Sequence, residues 1–362
     1  INVVIEEAYA PFIENFTLGI MPAHLWSNLP IEQLPFSQLN TEPIGSGSFF
    51  IKTANRDATG LISSYALSAF RENPETAKIT AFELKFYPNE SDILEALKNG
   101  EADSSAYLST ENLSLVDSDN FRIIESPLPR VFGIFFNQNR SAVLLDDSAR
   151  AALSAAIDRD ALIETALSGY GVPIFAPILG DINGLKSENG TDDAVASSSI
   201  ERARNILIEG GWTQNSLGIW SKEIDNVETT LSITVRTSNT PLFGAILDAV
   251  VADWKEVGID VSAEQFEQTG LVQSVIRPRD FQALLFGLDM SRSYDLYPFW
   301  HSSQKDDPGL NIGQYTNLSV DGLLETARTT QDKQERLRIF EEASTIITAE
   351  SPAVFLFQPN FT

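Results

Sequence analysis

Hydrophobic positions along this chain recur at two periods, and the switching between them sets the predicted elements. Residues 80–87 (TAFELKFY) alternate apolar and polar side chains as a half-buried strand does. Residues 130–137, 230–235, 259–263, 281–286 and 353–357 read as further strands, the first of them strongly apolar after Pro127 and Pro129. Between strands the period becomes helical. Ile93, Leu94 and Leu97 share one face of a helix over 91–99, with Gly100 where a left-handed C-terminal residue is wanted. Asp146 or Asp147 caps a helix that turns Ala149, Leu153, Ala156 and Ile157 inward, and a second helix runs from about Asp158 to near Gly169. Ser199 starts another, carrying Ile200, Ala203, Ile206 and Leu207 and closed by Gly210-Gly211. Thr240-Pro241 has the form of an N-cap and first-turn proline, opening a helix with Ile246, Val250, Trp254 and Val257 that ends at Gly258. Asp332 and Glu335 form an acidic variant of a capping box before the last long helix.

Two stretches depart from this pattern. Residues 1–60 are mixed and punctuated by Pro22, Pro30, Pro35 and Pro43, and 169–190 are loop-like. From 130 onward strands and helices alternate, which predicts an α/β lobe. The strand 281–286 runs into a loop holding Asp289, Tyr294, Asp295, Tyr297, Phe299, Trp300 and His301, followed by a polar turn at 311–317. Loops rich in rings and carboxylates after a buried strand are where α/β proteins keep ligands.

A length of 362 residues exceeds what one core usually serves, so two lobes are expected. No apolar run approaches the length of a membrane span, and the opening residues lack the basic start and apolar stretch of a signal peptide. The chain opens on Ile1 rather than Met, so it is read as processed or trimmed. Fifty acidic against twenty-five basic residues give a net charge of -25, which repels phosphate backbones and argues against nucleic acid. Cysteine is absent, which excludes disulfides, thiolate metal sites and cysteine nucleophiles together. His24 and His301 are the only histidines and stand far apart, so neither a protein-only metal site nor a cofactor is expected. HExxH, GxSxG and Walker A patterns are missing, Gly45-Ser46-Gly47 is too short for a dinucleotide loop, and Asp192-Asp193 and Asp306-Asp307 lack EF-hand spacing.

Six stretches carry a family resemblance in order along nearly the whole chain. They are Met21-Pro22-Ala23-His24-Leu25-Trp26, Pro43-Ile44-Gly45-Ser46-Gly47, residues 94–103 (LEALKNGEAD), 149–169 (ARAALSAAIDRDALIETALSG), 201–212 (ERARNILIEGGW) and 281–347. The chain resembles extracytoplasmic solute-binding proteins of family 5, the peptide/nickel class that feeds ABC importers. Ser48 stands where that family usually has Pro, and Ser293-Tyr294-Asp295 where it often has Asp-Pro-Asp. Members are longer, so the resemblance implies a missing N-terminal part of lobe one. It implies an α/β, two-lobe, periplasmic-binding-protein-like (type II) fold with a hinge and ligand between the lobes. Residues 1–129 would form lobe one, 130–350 lobe two and 351–362 a return strand. It further implies an extracytoplasmic receptor that delivers short peptides to an ABC permease without turnover. A monomer is expected, touching a membrane only through a lipid anchor outside this chain. An oligosaccharide or a chelated metal as ligand, a surface sensor or scaffold, and a hydrolase using Asp289 and Asp295 stand as alternatives.

A zwitterionic peptide needs an anion for its amine, a cation for its carboxylate and apolar walls for its side chains. Related binders place an acidic residue near this loop position, so the amine role is carried to Asp289, with Asp295 as rival. Dipeptide-type relatives place an Arg at a strand end, and the carboxylate role is carried to Arg236, which the planar guanidinium fork suits. Tyr294, Tyr297, Phe299 and Trp300 are candidate walls.

Overall fold

The computed structural model describes residues 3–6, 8–17, 19, 21–70, 77–106, 108–116, 119–179, 198–224, 226–290 and 295–362. The chain divides into two compact units, Phe16–Ile123 with Thr362, and Ile1–Asn15 with Ile124–Phe361.

The larger unit is built on one seven-stranded sheet. Its order is Asp260–Phe266, Ser232–Ser238, Ala283–Asp289, Arg130–Phe136, Ala353–Phe361 and Ser126–Pro127, with Gly171–Pro173 also against Ala353–Phe361. Ser232–Ser238 runs parallel to both Asp260–Phe266 and Ala283–Asp289, whereas Arg130–Phe136 is antiparallel to its two neighbours. Both faces are covered, so successive side chains feed two separate cores. Ile134, Phe136, Ala283, Leu285, Val354 and Leu356 pack on one face against helices Asp147–Ala155, Arg159–Leu167, Ser199–Glu209 and Pro241–Val257. Val131, Phe135, Leu284, Leu288, Ala353 and Phe355 pack on the other, against Leu318–Thr329 and Lys333–Glu350.

The end signals read from the sequence are used. Asp146 accepts from the Ala149 N–H, Asp158 from Ala161 and Asp332 from Glu335. The helix expected from Ser199 is capped one residue earlier, by a reciprocal Ser198–Glu201 box. Pro241 opens its helix, although the Thr240 side chain makes no capping bond. Gly258 closes it at φ 106°, where an added Cβ would lie 2.5 Å from Gly218 O. Three indoles then tie helices to neighbouring chain: Trp254 Nε1–H donates to Leu153 O (2.8 Å), Trp220 to Val257 O (2.9 Å) and Trp212 to Asp146 Oδ1 (3.2 Å).

Two strands differ from their predicted limits for local reasons. The strand expected at 281–286 is Ala283–Asp289, because the Gln282 side-chain Oε1 accepts from Thr234 N–H before the ladder begins. Residues 351–362 form the strand Ala353–Phe361, which stays within the larger unit's sheet. The units divide a few residues before 130, since Ser126 and Pro127 already pair with Phe361 and Asn360.

The smaller unit holds an antiparallel sheet of Phe49–Arg56, Ile62–Ala69 and Ala81–Lys85. Its first turn is organised by Asp57 Oδ1, which accepts from Thr59 N, Thr59 Oγ1 and Leu61 N. The helix Glu90–Lys98 follows, capped by Asn89 and stopped by Gly100 at φ 70°. The expected half-burial of 80–87 is not what the structure shows: all five residues of Ala81–Lys85 are exposed. Alternation marks the strand, but its apolar side is only partly covered: Phe49 meets Phe82 edge-on at 4.8 Å, and Phe82 and Leu84 stay exposed.

Candidate functional site

Asp289 is the last residue of its strand rather than the first of the loop, and it lies opposite Arg130. Arg130 Nε–H donates to Asp289 Oδ2 at 3.4 Å, and both side chains are at least half exposed. Tyr294 lies outside the described residues.

Asp295 is placed differently from Asp289. It is buried, its Oδ1 accepts from Tyr297 N–H (3.0 Å), and its Oδ2 accepts from Arg328 Nε (2.9 Å) and Nη2 (2.8 Å). The Arg328 guanidinium lies 3.6 Å from the Tyr297 ring centre, and Tyr297 stacks on His301 at 4.0 Å and 16°. A carboxylate, a guanidinium and two rings are thereby joined in one column. Phe299 and Trp300 sit in the second core, where Trp300 meets Phe135, Tyr315 and Phe355.

His301 is buried and its tautomer follows from its neighbours. Ser303 N–H donates to Nδ1 (3.1 Å), so the ring proton sits on Nε2, which faces Glu325 Oε1 (3.3 Å) and Asp321 Oδ1 (3.9 Å). Asp321 also accepts from Ser302 N and Oγ. The polar turn after it is equally tied. Buried Asn311 donates to His301 O and Tyr315 O and accepts from Tyr315 N–H. The Tyr315 hydroxyl donates to Glu350 (2.6 Å), and burial together with that carboxylate pushes its pKa up. Described residues 295–317 are therefore held by side-chain to backbone bonds, which fix the loop in place of a ladder.

Arg236 lies inside the strand Ser232–Ser238, not at its end. Its Nε–H donates to Glu264 (2.7 Å), its Nη1 donates to the Asp280 carbonyl and side chain, and Phe266 lies 5.9 Å away. Burial alone would lower its pKa, but the two carboxylates outweigh that and raise it. Sequence reasoning missed Arg328, Glu325 and Asp321. Their signal was present: spaced at 321, 325 and 328, they mark one face of the helix Leu318–Thr329. Arg130 was read only as a strand start, though the register sets it against Asp289.

Among the described residues no helix is long and apolar enough to cross a membrane, and no three His, Cys, Asp or Glu side chains gather as a metal site would require. The site thus presents an exposed pair of opposite charges at a strand end, and from Asp295 onward a segment fixed by buried polar bonds.

Comparison with known proteins gives this geometry a context. The chain is 26% identical over 349 residues to the oligopeptide-binding protein AppA of Bacillus subtilis (strain 168), covering 94% of this chain and 62% of that protein. It thus spans about three-fifths of that relative's length. The solved structure of Bacillus subtilis AppA in complex with a nonapeptide superposes with a TM-score of 0.62 at 24% identity, covering 99% of this chain and 70% of that one. A putative peptide binding protein AppA from Clostridium difficile superposes at 0.77 with 19% identity, covering 98% and 69%. These likenesses give the chain the two-lobe periplasmic-binding fold. The model of the bacterial extracellular solute-binding proteins, family 5 (middle), matches residues 1–308, and the chain belongs to that family.

Proposed function

We propose that this protein is the extracytoplasmic receptor of an ABC importer, capturing short peptides and passing them to a permease without chemical change. The observation that carries the reading is the match across 94% of the chain to a protein named for oligopeptide binding. In this reading Asp289 receives the ligand amine, since it is an exposed carboxylate at the end of a buried strand. Tyr297, Phe299, Trp300 and Asp295 hold the adjoining loop in the shape that the ligand meets. The receptor works as a monomer, either in the periplasm or held at the outer face of the cytoplasmic membrane by a lipid.

A thermal-shift screen against pools of short peptides, oligosaccharides and metal–chelator complexes tests the proposal. Ligand at about 100 times its dissociation constant stabilises the native state by roughly 2.7 kcal/mol, enough for a clear shift. A shift with peptides supports peptide capture. A shift only with sugars or chelates keeps the family and discards the substrate, and silence from every pool favours a sensor or scaffold.

A further inference from the structure

The chain passes from the larger unit into the smaller one between Asn15 and Phe16. A 3-10 helix of eight residues, Ala10–Thr17, carries it across. Runs of this helix beyond about three or four residues are uncommon, because its hydrogen bonds are poorly aligned, so one of this length needs outside support. Burial supplies little of it, since Val3, Val4, Ile5, Tyr9 and Ile13 are exposed. Tyr9 stands immediately before the helix, and the Arg328 guanidinium lies over its ring at 5.5 Å, within reach of a cation–ring attraction.

The same guanidinium grips the segment that follows the strand Ala283–Asp289. Its Nε and Nη2 donate to Asp295 Oδ2, and it lies over the Tyr297 ring at 3.6 Å. A planar guanidinium can donate along its edge and stack with its face at once, which a lysine ammonium cannot. Arg328 is itself rooted in the last turn of the helix Leu318–Thr329, whose Val320, Leu324 and Ala327 are buried in the second core. One side chain on a fixed helix therefore holds two segments that are remote in sequence.

We propose that Arg328 is a positioning residue that ties the connection at 9–17 to the segment 295–297, so that a displacement of Asp295 or Tyr297 reaches the entry to the smaller unit. The two grips differ in strength. The one on Asp295 is a charge-assisted bond to a buried carboxylate, whereas the one on Tyr9 is a single contact to an exposed ring. Such a contact shifts a local opening equilibrium only about two- to fivefold, so the connection is the side that lets go. A ligand that moves Asp295 or Tyr297 thereby loosens or tightens residues 9–17. The tie does not depend on that ligand being a peptide.

Hydrogen–deuterium exchange of the whole protein, read on fragments covering 8–17 and 295–303, tests the tie. In the wild type the amides of 10–17 exchange more slowly than those of a free chain. In Tyr9→Leu exchange at 8–17 rises about two- to fivefold while 295–303 is unchanged. In Asp295→Asn, a change on the other side of Arg328, exchange at 8–17 rises as well, and Arg328→Gln loosens both fragments. Amides of the helix Pro241–Val257 are the internal reference, since a general loss of stability would speed them too and the tie leaves them alone. Tyr9→Leu, at an exposed ring, decides by itself if a variant at 295 or 328 fails to fold. Free-chain exchange at 10–17 in the wild type, or exchange there that ignores Tyr9→Leu, overturns the tie. A folded Asp295→Asn that loosens 295–303 but not 8–17 overturns the transmission. None of these outcomes bears on which ligand is captured.

Discussion

Arg159 is buried, yet among the described residues no carboxylate pairs with it. Its Nε–H donates to Phe355 O (2.7 Å) and Ile174 O (3.1 Å), its Nη1 to Ser154 O and Ile157 O, and its Nη2 to Ser154 Oγ. One guanidinium therefore joins the end of one helix and the start of the next to the strand Ala353–Phe361 and to the segment at Ile174. Phe175 covers its plane at 4.5 Å. Burial, with the nearby Arg202 charge, lowers the Arg159 pKa to about 10. That depression represents about 3 kcal/mol against the charged form. In Arg159→Met this cost is relieved. The two shorter bonds, worth about 2 kcal/mol each, are lost, and two carbonyls are left dry at about 1 kcal/mol or more each. The net expectation is a loss of about 3 kcal/mol. Arg159→Lys keeps the charge but has no planar fork to serve carbonyls on separate segments, and an ammonium is the more strongly hydrated ion. It should therefore destabilise at least as much as the methionine. Urea unfolding followed by tryptophan fluorescence measures this directly, since Trp212, Trp220, Trp254 and Trp300 lie in the larger unit and only Trp26 in the smaller. A lysine variant within about 0.5 kcal/mol of wild type would show that the charge, not the fork geometry, is what this position needs.

Other expectations concern the same unit. Burial pushes the Asp146 pKa up, but Lys222 at 2.5 Å, Ser148, the Ala149 N–H and Trp212 outweigh it and hold the carboxyl at about 2. Because the folded value lies below the unfolded one, the stabilisation is present above about pH 4 and is lost as pH falls through about 2. Asp146→Asn should remove about 1 kcal/mol at pH 7, after allowance for solvent screening, and flatten the acid limb of an unfolding profile between those values. An acid limb identical to wild type would contradict the assignment. Gly258→Ala should cost about 2 kcal/mol or more, from a left-handed φ and from a Cβ 2.5 Å from Gly218 O, and would appear as a drop in melting temperature.

The sequence carried the α/β class of the region after 130 and most helix ends, because both are local. A cap needs a side-chain oxygen and an N–H two or three residues on, as at Asp146 and Asp332, and a left-handed stop favours a glycine, as at Gly100 and Gly258, although Ser168 and Ser351 also end helices at positive φ. The family was legible too, since its turn-and-helix stretches keep their order along the chain. What periodicity does not contain is the identity of the neighbour. Two carboxylates six positions apart, Asp289 and Asp295, stood as first choice and rival for one role. The register put one against Arg130 at an exposed strand end, and packing of the helix Leu318–Thr329 put the other under Arg328. Arg236 looked available until the parallel ladder set Glu264 beside it. Phe82 and Leu84 alternated as buried positions do, yet they remain exposed. Sequence thus determined which backbone states the segments adopt, through interactions spanning three or four residues. Which charges are neutralised and which rings are buried was decided by strand register and helix docking. Those depend on residues scores or hundreds of positions away, as the separation of 159 positions between Arg130 and Asp289 illustrates.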